Sequence, residues 1–99
     1  MKLYKLSQSL NTGYDTYDSC VVCAKSKKEA RLIHPSKFVT HSTEDKWFGT
    51  NVKGEVYETE NDYYSWVRRK DVGEVEVEYI GEAKKGLKKG VIVNSFNAG

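Results

Sequence analysis

Long hydrophobic runs are missing from this chain of 99 residues, and so is a large excess of one charge. No apolar stretch approaches the ~20 residues that cross a bilayer as a helix, so membrane insertion is not expected. Sixteen Lys and Arg against fourteen Asp and Glu leave a formal net charge of +2, far from the basic footprint of a protein that lives on duplex nucleic acid. Cysteine and histidine are scarce, with two of each. Cys20 and Cys23 spell CxxC, but they fall in a segment that reads as a strand. Side chains three apart on a strand point to opposite sides of the sheet, so the two thiols cannot share an ion or readily form a disulfide. The spacings from Cys23 to His34 and from His34 to His41 lie outside the usual zinc-finger pattern. Both thiols are expected in the core, and neither a metal nor another cofactor is implied. The first residues, MKLYKLSQSLNTG, have no long apolar core or small-residue cleavage site, so they are expected to form a strand and not a secretory signal. A cytosolic location is the expectation.

What is present suits one compact domain spanning 1–99, of a size that buries roughly 60% of its unfolded surface. The stretch from Gly13 to Pro35 is the most telling. Cys20 to Ala24 is an unbroken apolar run, the mark of a strand in the middle of a sheet. Ser26 followed by Glu29 is a capping box, which predicts a short helix over Ser26–His34 stopped by Pro35, the only proline. Lys2 to Gln8 reads as the first strand. Phe38 to His41 and Trp47 to Thr50 read as short strands that pair, and Val56 to Thr59 as another after a turn. Asn61 to Lys70 admits a capped helix or a strand, and the tyrosines, tryptophan and valine favour a turn followed by a strand. Glu74 to Ile80 alternates glutamates with Val75, Val77 and Tyr79, the period-two pattern of a strand with one wet face. Gly90 to Phe96 is the last strand, joined to the previous one by a lysine-rich hairpin loop, Gly81 to Lys89.

These elements predict an α+β fold: a mainly antiparallel sheet of four to six strands with the one short helix packed on one face. One helix covers part of a sheet. The remaining face must then be packed by the middle of the chain, by a second subunit in a homodimer, or by a ligand.

The segments GYDTYDSCVVCAKSKKEARLIHP, VEVEYIGEA and GVIVNSFNAG resemble a family of small bacteriophage and prophage proteins in order and wording. Two departures stand out: cysteine at positions 20 and 23 where alanine-like residues serve, and an apparent insertion at about 36–62. The resemblance implies a phage accessory protein in the host bacterial cytosol, a context in which small proteins often act against host defence. It carries no activity that transfers to particular residues.

Chemistry therefore has to be read from side chains, and no catalytic signature is present. The repeat YDTYDS could bring the carboxylates of Asp15 and Asp18 together as a base pair or a cation site; the plainer reading is turn capping. A binding reading asks less. Tyr14, Tyr17, Tyr63, Tyr64 and Trp66 could stack on bases, Arg31, Arg68 and Arg69 could grip phosphate, and Asn94 could read a base edge. The same aromatics would serve equally as core or interface. The lysines from Lys84 to Lys89 read as a solvated surface. Three functions follow: a non-catalytic sponge for a small phosphorylated nucleotide, an inhibitor docking on a host defence protein through the acidic strand or the acidic stretch from Glu55 to Asp62, and an enzyme using Asp15 and Asp18. The first is the leading expectation.

Overall fold

The structure is a computed structural model that describes residues 1–59 and 65–97. It is α+β. Four strands, β1 (Lys2–Ser7), β2 (Thr16–Ala24), β6 (Glu76–Glu82) and β7 (Gly90–Asn97), form an antiparallel sheet in the order β6-β1-β2-β7. A separate three-stranded sheet joins β3 (Val39–Ser42), β4 (Trp47–Thr50) and β5 (Val56–Glu58), also antiparallel.

Register decides which side chains meet. Tyr4 lies opposite Val22 and Leu6 opposite Cys20, and Tyr79 and Val77 of β6 extend the same rows. That face is the packed one. Tyr4, Leu6, Cys20 and Val22 are buried together with Ala30 of the helix, Trp47 of β4, and Trp66, Val67 and Val75. The helix and the middle of the chain thus cover one and the same face, and the middle does not pack the remaining face as expected. Burying each of Leu6 and Val22 stabilises the fold by about 1.5–3 kcal/mol, and both are wholly inaccessible. The CxxC cysteines point to opposite sides: Cys20 pairs across from Leu6, Cys23 from Leu3. Among the described residues, no helix is long and apolar enough to cross a membrane.

Three local expectations are corrected. The helix, α1, is a single turn, Lys27–Ala30, and does not run to His34. Ser26 Oγ accepts from the Glu29 amide at 3.2 Å as the capping box requires, and Glu29 reaches back to the Lys25 amide at 3.1 Å. Beyond Ala30 the amides of Leu32 and Ile33 bond three residues back, not four, so the turn tightens before the backbone enters the restricted residue ahead of Pro35. Second, β6 and β7 are not a hairpin: they occupy opposite edges of the sheet. The β1-β2 pair fills the centre, so the lysine-rich connection has to pass the ends of both strands, and the Ala83 amide meets the Met1 carbonyl at 3.0 Å. Third, the stretch from Asn61 to Lys70 does not end as a strand. Residues 61–64 lie outside the described residues, Ser65 to Arg68 is irregular, and a 3-10 segment spans Arg69–Glu74.

Gln8 locks the loop between β1 and β2. Its Nε2 donates to the carbonyls of Asn11 and Tyr17, and its Oε1 accepts from the amides of Leu10 and Asn11, all at 2.7–2.9 Å. A buried amide with every group partnered fixes a chain path that apolar packing alone would leave loose.

Candidate functional site

Pro35 is buried, and its carbonyl accepts from Asn94 Nδ2 on β7 at 3.2 Å, which pins the link after α1 against the last strand. The link then folds on itself. The Ser36 amide donates to His34 Nδ1 at 3.0 Å, and the Phe38 amide donates to Ser36 Oγ at 3.2 Å. Between this link, β3 and the start of β7 lies a cleft of about 580 Å³, within the range of small-molecule sites. Its polar wall includes Ser36, Lys37, His41, Ser42 and Lys89. A second hollow of about 520 Å³ shares Ser36, Lys37 and Val91 with it and adds Tyr17, Phe38 and Asn94. The two hollows adjoin at Ser36, Lys37 and Val91 and together make up a trough, with Lys89 in the first part, Tyr17 and Phe38 in the second, and Lys37 in both.

Among the described residues, no Asp or Glu lines either part. Among the described residues neither Lys37 nor Lys89 has a salt bridge, so both charges are available to an anion. A concave site lined by one sign of charge focuses its field and draws in ligands of the other sign. Lys37 Nζ sits 5.3 Å from the centre of the Phe38 ring, which joins the cationic and aromatic portions. His34 forms part of the floor, its ring edge-on to Trp47 at 5.1 Å. Burial pushes the His34 imidazole down to about 3, so it is neutral at neutral pH and the lysines supply the charge. Trp47 is held in turn by its Nε1, which donates to the Val67 carbonyl at 2.9 Å.

The residues singled out from sequence divide. Tyr17 and Asn94 line the trough. Tyr17 also packs on Phe96 at 4.8 Å between ring centres, and its amide donates to the Ser65 carbonyl at 2.6 Å. Asn94 Nδ2 gives one of its two N–H groups to Pro35, which leaves its Oδ1 as an acceptor and the second N–H as a donor. The others lie elsewhere. Trp66 is only 1% exposed and belongs to the core, which corrects its reading as a stacking platform. Arg31 Nε donates to the Val75 carbonyl at 3.4 Å and ties the helix end to the start of β6. Arg69 lies with its guanidinium 6.0 Å over the Trp47 ring, and neither its Nε nor Trp66 Nε1 has a hydrogen-bond partner among the described residues. Arg68 is exposed just ahead of the 3-10 segment. Tyr63 and Tyr64 lie outside the described residues.

Tyr14 stands 77% exposed at the tip of the β1-β2 loop. Asp15 takes a left-handed φ of 60°, and its amide bonds the Asn97 carbonyl. Asp18 is the extra residue of a bulge in β2, where a hydrogen bond from Ser95 holds its carboxyl below the usual range. That direction makes it a weaker base than an ordinary aspartate.

Sequence reasoning missed Lys37, Phe38, His41 and Lys89. The available signal was local: Lys37 and Phe38 follow the proline that ends the helix, and Lys89 precedes the glycine that opens β7. Comparison with protein-family models, curated proteins and solved structures gives no match.

Proposed function

We propose that this protein is a non-catalytic binder that sequesters a small phosphorylated nucleotide in the trough. The observation that carries the reading is a cleft whose charged lining, among the described residues, is lysine alone, adjoining a hollow lined by Tyr17, Phe38 and Asn94. Phosphate oxygens sit against Lys37, Lys89 and the hydroxyls of Ser36 and Ser42. The base lies toward the two aromatic rings, where stacking is worth about 1–3 kcal/mol, and presents an N–H to Asn94 Oδ1. With the phage and prophage likeness of its sequence blocks, such a binder would act in the cytosol of an infected bacterium by removing a defence messenger.

Thermal melting against a panel of cyclic and linear nucleotides tests this. A true ligand at about one hundred times its Kd stabilises the fold by roughly 2.7 kcal/mol, and Lys37→Glu with Lys89→Glu removes the shift whereas Arg68→Ala leaves it. No shift with any nucleotide at saturation would end the reading. A second reading is favoured by the outer strand β6, which exposes Glu76, Glu78 and Glu82 along a sheet edge. That row suits a basic patch on a host protein. A host pulldown that yields one stoichiometric partner, lost with Glu76→Lys and Glu78→Lys, supports it, and a pulldown without such a partner counts against it.

A further inference from the structure

The two edges of the main sheet are treated very differently. Exposed strand edges invite pairing, and proteins blunt them with charge and bulges. β6 follows that practice, with Glu76, Glu78 and Glu82 exposed and Ile80 displaced by a bulge. β7 does not. It carries no charged residue from Gly90 to Asn97, and Ile92, Val93 and Phe96 are each 46–57% exposed. Its pairing with β2 skips Ile92 on β7 and Asp18 on β2, between Ser95 and Phe96, and is regular from Val93 to Ser95. Alternate residues of an outer strand turn their backbone N–H and C=O groups away from the sheet. Between Val91 and Phe96 those outward groups have no partner among the described residues.

The charges flanking β7 indicate what pairs there. Lys84, Lys85, Lys88 and Lys89 precede its first residue. At its far end the Asp18 carboxylate bonds Ser95, and the Asp15 amide bonds the Asn97 carbonyl. The strand is thus basic at its beginning and acidic at its end. Two such strands running antiparallel set the lysine end of each against the aspartate end of the other.

We propose that two copies of this chain pair through β7 about a two-fold axis, giving a continuous eight-stranded antiparallel sheet. The contact is isologous and closes after two copies, as a stable homodimer requires. It satisfies the open backbone groups, covers Ile92, Val93 and Phe96, and places unlike charges together at both ends. Because Val91 and Asn94 of β7 also line the trough, the two clefts come to lie side by side across the axis. Pairing needs no ligand, so it is tested without nucleotide.

Sedimentation equilibrium across the micromolar range is expected to show a dimer that weakens as salt rises. Lys85→Glu with Lys88→Glu should raise the dimer Kd by roughly tenfold or more. Adding Asp18→Lys to the same chain should restore much of the loss, a recovery that damage to the fold would not produce. Ile92→Lys with Val93→Lys, at two exposed positions, should leave the melting temperature of dilute protein unchanged and yield a monomer. A wild-type monomer throughout, or a dimer indifferent to the Ile92→Lys, Val93→Lys pair, would overturn the proposal. Failure of the nucleotide panel alone would leave it standing.

Discussion

Acidification should destabilise this fold through one side chain, His34. It is 6% exposed, its Nδ1 accepts from the Ser36 amide, and burial lowers its imidazole from 6.5 to about 3. The unfolded chain takes up a proton as pH falls below 6.5, whereas the folded chain refuses it until about 3. The stability that a neutral His34 contributes is therefore complete above pH 6.5 and is lost progressively as pH falls toward 3. Each unit in that window costs about 1.4 kcal/mol, so the step from pH 7 to pH 5 removes about 2 kcal/mol. Against a total of roughly 5–15 kcal/mol for a domain of this kind, that is a large share. It corresponds to a fall in Tm of roughly 8–16 °C. Urea denaturation at intervals between pH 5 and 7, before most carboxylates titrate, measures the slope. His34→Asn keeps an acceptor near the Nδ1 position and removes the titration, so its stability is lower at pH 7 but nearly flat with pH. A wild type and a His34→Asn variant with the same slope would refute the reasoning.

Gln8→Leu withdraws four hydrogen bonds from the β1-β2 loop and should cost about 2–4 kcal/mol in chemical denaturation. Gly49→Ala would set a Cβ 2.6 Å from the Tyr57 ring and 2.9 Å from the Phe38 carbonyl, so β4 or its neighbours must shift, at about 1–3 kcal/mol. The additional change Tyr57→Ala should recover part of that loss. Burial pushes the Cys20 thiol up to about 12, and Cys23 is wholly inaccessible, so alkylation at mildly alkaline pH should modify neither cysteine until the protein unfolds. Rapid labelling of the native protein would contradict that.

The fold was legible where a local pattern coincided with the tertiary arrangement. The apolar run from Cys20 to Ala24 announces a central strand, and β2 is flanked on both sides. Alternation places Cys20 and Cys23 on opposite faces without reference to any partner. The strand pattern of the last third was also readable, but its pairing was not. Two strands joined by a short loop read as a hairpin, and only the prior occupation of the sheet centre by β1 and β2 sends β6 and β7 to opposite edges. No local signal carries that competition. The helix fell short of His34 because the chain tightens into i to i+3 turns at Leu32 and Ile33 before the restricted residue ahead of Pro35.

The site was legible in part for the same reason. Tyr17 and Asn94 were singled out as an aromatic and an amide, and both line the trough. The arginines drew attention because they cluster in sequence, yet Arg31 and Arg69 are engaged with Val75 and Trp47. Lys37 and Lys89 lie far apart in the chain and become one site only when β7 returns beside the link after Pro35. Trp66 misled because exposure is a tertiary property: its ring fills the core beneath the main sheet.

The central claim is that the lysine and aromatic trough holds a nucleotide. Amide chemical-shift mapping during titration of labelled protein with the nucleotide panel tests it most directly. Saturable shifts are expected at Ser36, Lys37 and Phe38, at Lys89 to Val91, and at the side-chain amide of Asn94. Shifts confined to Arg68 through Asp71, or none with any nucleotide, would contradict it.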